Sequence, residues 1–223
     1  MVDFSSQIEI GLQRLGLEIS AKSYDRLALY FTELKKWSAK INLIAKSASN
    51  EHIIETHFLD SLTILPLLLD NKCHLLDIGT GAGFPGLVCK AVLPELAVTL
   101  VEPRLKRVSF LQHIVRILDL KEVDILSCRI EDETRLSSHT RFSHITGRAV
   151  TEVGPFLEMV ERFSPSGAKV LLMKGPKWQE EIDAAAKILE TSSYGLVEVV
   201  ECALPFSGAK RALLLFAVKK TIQ

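Results

Sequence analysis

The chain has 223 residues, of which 48% are hydrophobic and 24% are charged, a composition typical of a globular protein that buries a substantial core. This composition excludes collagen, a coiled coil or a disordered chain as the main state. Lys and Arg total 27, as do Asp and Glu, so the net charge of zero, taken alone, argues against a nucleic-acid-binding protein, because such proteins usually carry a basic excess.

The pattern of the four cysteines and the shortness of the apolar runs indicate the cellular compartment of the protein. Cys73, Cys89, Cys128 and Cys202 form no CxxC pair, and none of them follows a proline. This pattern predicts neither a zinc site nor a redox motif, and it favours buried thiols in a reducing cytosol. No apolar run approaches the ~20 residues of a membrane span, and the N-terminus lacks the apolar segment of a secretion signal. We therefore expect a cytoplasmic protein with no metal and no membrane contact.

The first 70 residues predict three helices. One ends at Gly16, after an apolar face formed by positions 8, 12 and 15. A third begins with Ser49 or Asn50 as its N-cap and runs through His57 towards Pro66. Between them, apolar side chains recur at steps of three and four residues over five turns, which predicts a second helix: Leu27, Tyr30, Leu34, Trp37, Ile41 and Ile44.

Residues 71–223 have a different pattern, in which short apolar runs alternate with helical stretches. The strand-like runs are His74–Ile78, Ala97–Val101, Val123–Ser127, His144–Thr146 and Lys169–Met173, and the candidate helices are 84–93, 104–118, 151–163 and 177–190. This alternation predicts a parallel sheet with helices on both faces. The last two runs, Leu196–Ala203 and Arg211–Lys219, are joined by too few residues for a helix and predict an antiparallel hairpin at the sheet edge. We thus predict an α/β domain over 71–223 with a helical extension over 1–70.

The strongest motif is a glycine-rich turn after the first strand, Asp77-Ile78-Gly79-Thr80-Gly81-Ala82-Gly83-Phe84-Pro85-Gly86. Glycines let the backbone turn tightly and approach a ligand, and the helix that follows favours negative charge. The same run also fits the GxGxxG fingerprint of NAD-binding proteins. Asp77 favours S-adenosylmethionine (AdoMet), since a carboxylate there would repel a pyrophosphate but suits the amino group of a methionine moiety. A helix-start turn without any ligand is the plain structural alternative.

Glu102 closes the second strand, where an acid can accept hydrogen bonds from ribose hydroxyls. AdoMet and NAD both carry such a ribose, so Glu102 does not discriminate between them, whereas Asp77 and the terminal hairpin favour AdoMet. The predicted cofactor-binding residues of this region are Asp77, Gly79, Thr80, Gly81, Gly83, Phe84 and Glu102.

Taken together, the motifs resemble a known family over nearly the whole chain. In the helical region they are Lys36-Trp37-Ser-Ala-Lys-Ile-Asn42-Leu43 and His57-Phe-Leu-Asp60-Ser61. In the sheet domain they are Asp77–Gly86, Lys106-Arg107-Val-Ser-Phe-Leu111, Arg129-Ile130-Glu131, Gly147-Arg148-Ala149 and Met173-Lys174-Gly175. The chain resembles the bacterial ribosomal RNA small-subunit methyltransferase G family (RsmG, also called glucose-inhibited division protein B).

This resemblance implies a class I AdoMet-dependent methyltransferase fold, Rossmann-like with a mostly parallel seven-stranded sheet and an N-terminal helical extension. It implies methylation of guanine N7 in the 530 loop of 16S ribosomal RNA, with the RNA or the 30S subunit as partner. By motif, Gly79 and Phe84 line the cofactor, Ile130 and Glu131 border the adenine, and Arg148 lies near the methyl-transfer centre. The alternative is an AdoMet-dependent methyltransferase acting on another RNA site or on a small molecule. We expect a monomer.

The residues after the fourth strand suit this chemistry. Guanine N7 carries a lone pair and no proton, so the reaction needs positioning and electrostatics rather than a general base. The run Gly147-Arg148-Ala149-Val150 lacks the Asn/Asp-Pro-Pro-aromatic sequence of methyltransferases that act on exocyclic amines. Arg148 is predicted to contact the cofactor carboxylate, guanine O6 or a phosphate. The alternative is a structural ion pair with Glu152.

Three further residues complete the predicted catalytic set of Arg148, Asn42, His57 and Lys174. Lys174 ends the fifth strand and is predicted to contact a phosphate, the alternative being a solvated lysine. His57 shares a helical face with Asp60 and Ser61, which either touches RNA or cofactor or anchors the extension to the sheet domain. Asn42 either contacts a base edge or caps a helix. A phosphate-binding rim is expected from local basic groups: Arg104, Lys106, Arg107, Lys174, Lys177, Lys210 and Arg211.

Overall fold

A seven-stranded sheet forms the centre of the computed structural model, which describes residues 3–69 and 73–220. Its strands are β1 (His74–Ile78), β2 (Ala97–Val101), β3 (Val123–Leu126), β4 (His144–Gly147), β5 (Lys169–Lys174), β6 (Tyr194–Ala203) and β7 (Lys210–Val218). They lie in the order β3-β2-β1-β4-β5-β7-β6. The first five pair in parallel, whereas β7 pairs antiparallel with both β5 and β6. The predicted sheet and its terminal hairpin are confirmed.

The helices on the two faces are α1 (Phe4–Leu15), α2 (Ala21–Ser38), α3 (Asn50–Ile53), α4 (Asp60–Leu62), α5 (Gly86–Val92), α6 (Leu105–Ile117), α7 (Val153–Val160), α8 (Trp178–Ala184) and α9 (Ala186–Thr191). Gly16 ends α1 in the left-handed region, with φ of 67°, as predicted. Ser49 is the N-cap of α3, because its side chain accepts the His52 N–H at 3.2 Å. A π-helical turn, Ile54–Leu59, joins α3 to α4.

Three predicted helices differ from the observed ones. The second does not continue to Ile44: α2 ends at Ser38, where the N–H groups of Lys40 and Ile41 both donate to the Trp37 carbonyl and close a tight turn. Ile41 and Ile44 still pack against the core from the loop that follows. Their spacing in the sequence therefore reflects burial of their side chains and not helical structure. The helix predicted over 177–190 divides at Ala185 into α8 and α9, and that over 151–163 ends as a 3₁₀ turn, Glu161–Ser166.

The sheet separates two hydrophobic cores, since neighbouring residues of a strand point to opposite faces. Leu75 of β1 lies in the first core with Leu12, Leu27 and Phe58 of the N-terminal helices. Leu76 lies in the second core, with side chains of α7. The N-terminal extension therefore covers one face of the sheet. The predicted boundary between residues 70 and 71 lies outside the described residues, and the division into two domains stays a prediction.

A second contact ties the extension to the end of the chain. The N–H groups of Phe206 and Ser207, in the loop between β6 and β7, both donate to Glu55 Oε1 at 2.7 Å. Arg14 of α1 donates to the Pro205 carbonyl at 2.7 Å. Thr56 and His57 of the π-helical turn share a cavity wall with Arg148, which follows β4, and Lys174, which ends β5. This is the edge at which ligand clefts of α/β sheets open. In the described part of the chain, no helix is long and apolar enough to span a bilayer.

Candidate functional site

The glycine-rich turn is held from inside by Asp77. Its Oδ2 accepts the Thr80 hydroxyl at 2.7 Å and the Gly86 N–H at 2.8 Å, which ties the end of β1 to the start of α5. Gly79 and Gly81 adopt φ of 65° and 62°, the left-handed region that glycine enters without strain. Backbone rather than side chains therefore lines this turn.

The other oxygen of Asp77, Oδ1, is buried and has no hydrogen-bond partner within the described residues. Burial raises the pKa of this fully buried carboxyl to about 6, although Thr80, Gly86 and Arg148 act in the opposite direction. An unpaired buried acceptor is costly. An ammonium group would supply the missing donor, so the turn fits the amino acid end of AdoMet.

Glu102, at the end of β2, faces the other side of the same turn. Its Oε2 accepts the Gly81 N–H at 3.1 Å, and its Oε1 accepts the Arg104 N–H at 2.9 Å. Arg107 Nη1 lies 3.5 Å from Oε2. The carboxylate is only 2% exposed, so it is fixed beside the glycines, in the position predicted for a ribose acceptor.

An aromatic stack lies behind the turn. Phe84 is buried, and its ring stacks on His57 with centroids 4.9 Å apart and planes 16° apart. The Arg148 guanidinium lies 5.3 Å from the Phe84 centroid, a cation–π distance. Phe84 therefore links the glycine turn to the predicted catalytic residues His57 and Arg148.

Arg148 follows β4 and reaches into the π-helical turn of the extension. Its Nη1 donates to the Thr56 carbonyl at 2.6 Å and to Asp60 Oδ2 at 3.4 Å, and its Nη2 donates to His57 Nδ1 at 3.0 Å. Arg211 of β7 donates to the other oxygen of Asp60 at 3.0 Å. The carboxylate partner of Arg148 is thus Asp60, and the alternative of a structural ion pair with Glu152 is wrong.

Burial and charge set the protonation of this cluster. Burial, with the neighbouring positive charge of Arg148, lowers the pKa of His57 to about 4, so the ring is neutral at pH 7. Because Nδ1 accepts from Arg148, Nε2 carries the proton. Burial raises the pKa of Asp60, while Arg148 and Arg211 oppose that rise. Ser61, predicted on the same face, instead turns inward and donates to the His57 carbonyl.

His57, Asp60 and Arg148 line a cavity of about 710 Å³, called here the arginine cavity. Its wall consists of Thr56, His57, Asp60, Arg148, Ala149, Val150, Thr151, Glu152, Met173, Lys174, Gly175, Glu181 and Arg211. Lys174 Nζ pairs with Glu181 at 2.7 Å and donates to the Thr151 carbonyl at 2.9 Å. The structure therefore brings three predicted catalytic residues together: Arg148, His57 and Lys174.

The fourth, Asn42, lies elsewhere. It lines a separate cavity of about 510 Å³, called here the basic cleft, whose wall is Lys40, Ile41, Asn42, Arg104, Leu105, Lys106 and Arg107. Of the residues predicted to border adenine, Ile130 is buried in the second core and Glu131 is exposed on the loop after β3. The roles of Asn42, Ile130 and Glu131 stay predictions.

The sequence does not predict two contacts of the site. Tyr30 of α2 is fully buried, and its hydroxyl donates to the Ala82 carbonyl in the glycine turn at 2.5 Å. A tyrosine inside an apolar helical stripe is the only signal of this contact. Arg211 gives no local signal of its pairing with Asp60, since 151 positions separate them. In the described ranges, no group of three or more His, Cys, Asp or Glu side chains is placed to hold a metal ion.

Relatives of the chain point to one activity. A family model described as rRNA small subunit methyltransferase G matches residues 23–212. Ribosomal RNA small subunit methyltransferase G of Desulfotalea psychrophila is 51% identical over 96% of this chain and 98% of its own length. The protein of the same name from Myxococcus xanthus is 37% identical over 96% of this chain and 97% of its own length.

Solved structures are similar in fold. Cofactor-bound Rv0187 from MTB has a TM-score of 0.62 at 12% identity, covering 88% of this chain and 91% of that chain. Precorrin-6y C5,15-methyltransferase from Geobacter metallireducens has a TM-score of 0.51 at 15% identity, covering 78% and 92%. These matches confirm the class I methyltransferase fold. With the family model spanning most of its length, the chain belongs to the rRNA small subunit methyltransferase G family.

Proposed function

We propose that the protein transfers a methyl group from AdoMet to N7 of a guanine in the 530 loop of 16S ribosomal RNA, on the free RNA or the 30S subunit. The family and the fold support methyl transfer to ribosomal RNA. We also propose that the protein acts as a cytoplasmic monomer, without a metal and without a membrane contact.

The observation that carries this function is the state of the acceptors around Arg148. The Nδ1 lone pair of His57 accepts from Arg148, and both oxygens of Asp60 are engaged by arginines. A site whose nearest acceptors are already occupied is suited to position a base, not to remove a proton from it. Guanine N7 has no proton to remove.

The glycine turn and its two carboxylates would hold AdoMet. Asp77 Oδ1 would accept the amino group, and Glu102 would accept the ribose hydroxyls beside Gly81. The backbone of Gly79, Thr80, Gly81 and Gly83 would line the part of AdoMet that lies between its amino group and its ribose. Phe84, Ile130 and Glu131 keep their proposed places beside the cofactor.

Bound AdoMet would supply an electrophilic methyl group to guanine N7: as the N–C bond forms, the C–S bond breaks and the sulfur leaves as a neutral thioether. The guanine leaves this step as a cation. The wall of the arginine cavity holds three cations, Arg148, Arg211 and Lys174, and three carboxylates, those of Asp60, Glu152 and Glu181. The site therefore presents no net positive charge to that product.

Arg148 has donors to spare for the reaction. Three of the five N–H groups of a guanidinium are used within the described residues. Those left would donate to guanine O6 or to the cofactor carboxylate, and His57 Nε2–H offers one further donor. Lys174 is proposed to contact a phosphate and Asn42 a base edge.

The test is methylation of small-subunit RNA and of 30S particles that lack the modification, with labelled AdoMet and purified protein. Nucleoside analysis should find the label in 7-methylguanosine. Label on an exocyclic amine, a ribose hydroxyl, a ribosomal protein or a small molecule would show that the assignment is wrong.

A further inference from the structure

The basic cleft lies outside the arginine cavity, between the turn after α2 and the start of α6. Two separate parts of the chain supply its cations: Lys40 comes from the N-terminal extension, whereas Arg104, Lys106 and Arg107 follow β2. Lys40, Arg104 and Lys106 are exposed. The cleft thus concentrates positive charge that the net charge of the chain conceals.

The charges of the two cavities are balanced differently. In the arginine cavity, Arg148 and Arg211 share Asp60, at 3.4 and 3.0 Å, and Lys174 pairs with Glu181 at 2.7 Å. Glu152 adds a third carboxylate to the same wall. In the basic cleft, only Arg107 has one among the described residues, at 3.5 Å from Glu102.

Within the described ranges, Lys40, Arg104 and Lys106 form no ion pair. An anion entering the basic cleft would therefore meet cations whose charge is not already neutralised.

Each of the two cavities has a wall residue next to the glycine turn. On the side of the basic cleft, a Cβ at Gly81 would lie 3.7 Å from Arg107 Nη1. On the side of the arginine cavity, a Cβ at Gly79 would lie 3.0 Å from Val150, two residues after Arg148. A ligand in the basic cleft would thus be close to the methyl-transfer site without occupying it.

We propose that the basic cleft binds the phosphate backbone of the RNA substrate next to the nucleotide whose base enters the arginine cavity. This inference rests on the proposed function. Lysine and arginine on an open groove are the groups that contact RNA phosphates, and the Asn42 amide in the same wall can hydrogen-bond a 2′-hydroxyl or a base edge. The paired cations of the arginine cavity position the base, and the unpaired cations of the cleft hold the backbone.

The test uses the double variant Arg104→Ala/Lys106→Ala in the full chain. Arg107 stays unchanged because it contacts Glu102, and the backbone N–H of Arg104 still reaches Glu102. The KM for RNA should rise about tenfold, equivalent to ~1.4 kcal/mol. The slope of log affinity against log salt for RNA binding should become shallower by about 0.7–0.9 for each phosphate that the variant no longer neutralises. The AdoMet Kd, measured by calorimetry, should stay within about twofold, which also reports that the protein is folded.

The matched control is Lys169→Ala/Lys187→Ala, which removes the same charge from exposed lysines at the start of β5 and on α9. Its KM and salt slope should stay close to those of the wild type. Lys40→Ala/Arg104→Ala is a second cleft variant, which removes one cation from the N-terminal extension and one from the segment after β2. Its KM and salt slope should change as in Arg104→Ala/Lys106→Ala.

The outcomes separate this proposal from the proposed function. If the wild type forms no 7-methylguanosine on ribosomal RNA, the proposed function fails. If the wild type does but both cleft variants keep its KM and salt slope, the cleft proposal alone is overturned. A weaker AdoMet Kd with an unchanged salt slope would also overturn it, because the cleft would then belong to the cofactor.

Discussion

The Asp77 carboxylate is fully buried, yet only one of its two oxygens has a hydrogen-bond partner among the described residues. Its pKa rises from 3.8 to about 6, a difference worth about 3 kcal/mol between the protonation states. Since the folded state holds the proton more tightly than the unfolded state, this group stabilises the fold below pH ~4. That contribution is lost as the pH rises through about 6. The charged form is the one that would bind an ammonium group.

AdoMet affinity should therefore depend on pH. Below pH 6 the protonated Asp77 loses the negative charge that would attract the ammonium group, so the AdoMet affinity should fall about tenfold per pH unit. Above pH ~7 the affinity should be constant. Calorimetry between pH 5 and 8 measures this. Asp77→Asn should bind weakly and show no such dependence. A wild-type affinity that is flat over this range, or a variant that binds like the wild type, would contradict the role of Asp77.

Arg148 donates to three different partners from Nη1 and Nη2, in a fixed planar fork that a lysine ammonium cannot reproduce. Arg148→Lys keeps the charge but loses the forked donors, so kcat should fall by about 100-fold or more, with a smaller change in the AdoMet Kd. Single-turnover methylation of 30S particles measures the effect. A variant with wild-type kcat would remove Arg148 from the methyl-transfer centre.

At the scale of elements, α2 supports the glycine turn through one hydrogen bond, from Tyr30 to the Ala82 carbonyl. Tyr30→Phe would leave that carbonyl without its buried donor, so the free energy of unfolding should fall by about 1–3 kcal/mol and AdoMet should bind more weakly. Tyr24→Phe, on the same helix but partly exposed, is the control. Denaturant unfolding and calorimetry compare the two; equal effects would show that the hydroxyl of Tyr30 has no particular role.

The sequence predicts elements where local pattern and burial agree. The bounds of β1 and β2 match their apolar runs residue by residue, and Ser49 and Gly16 mark helix ends through their own side-chain or backbone chemistry. The pattern does not reveal the end of α2, because Ile41 and Ile44 keep a helical apolar period while packing from a loop. The π-helical turn likewise has no signature in local propensity.

In the site too, the sequence predicts features set by local motifs but not those set by tertiary packing. The glycine turn, Asp77 and Glu102 are contiguous motifs, so the sequence reveals them. The pairing of Arg148 with Asp60 rather than with Glu152 depends on how the extension packs across the sheet, which no local spacing contains. Separation of Asn42 from the arginine cavity has the same origin.

At the scale of the whole molecule, the N-terminal helices and the sheet share one hydrophobic core. The chain should therefore unfold in a single cooperative transition, although its sequence suggests two segments. Trp37 in α2 and Trp178 at the start of α8 report on the two parts separately. The Trp37→Phe variant keeps only Trp178, and the Trp178→Phe variant keeps only Trp37. In each variant, the unfolding midpoint measured by fluorescence should equal that measured by circular dichroism. A separate, earlier transition of Trp37 would show that the extension is an independent domain.

The zero net charge, which alone disfavours nucleic acid, is an average over the whole surface. The acids that balance the cations include Asp60 and Glu181 in the arginine cavity, as well as the buried Asp77 and Glu102. The basic cleft retains its positive charge. RNA binding should accordingly be local and depend on few phosphate contacts.

The central claim, methylation of guanine N7 in the 530 loop of 16S ribosomal RNA, is tested most directly in cells that lack this protein. Their 16S ribosomal RNA is isolated, and the 530-loop fragment is analysed by mass spectrometry for 7-methylguanosine. We predict that the modified guanine is missing, that the wild-type chain restores it, and that the Arg148→Lys variant does not. A 530 loop that keeps its 7-methylguanosine without the protein would contradict the claim.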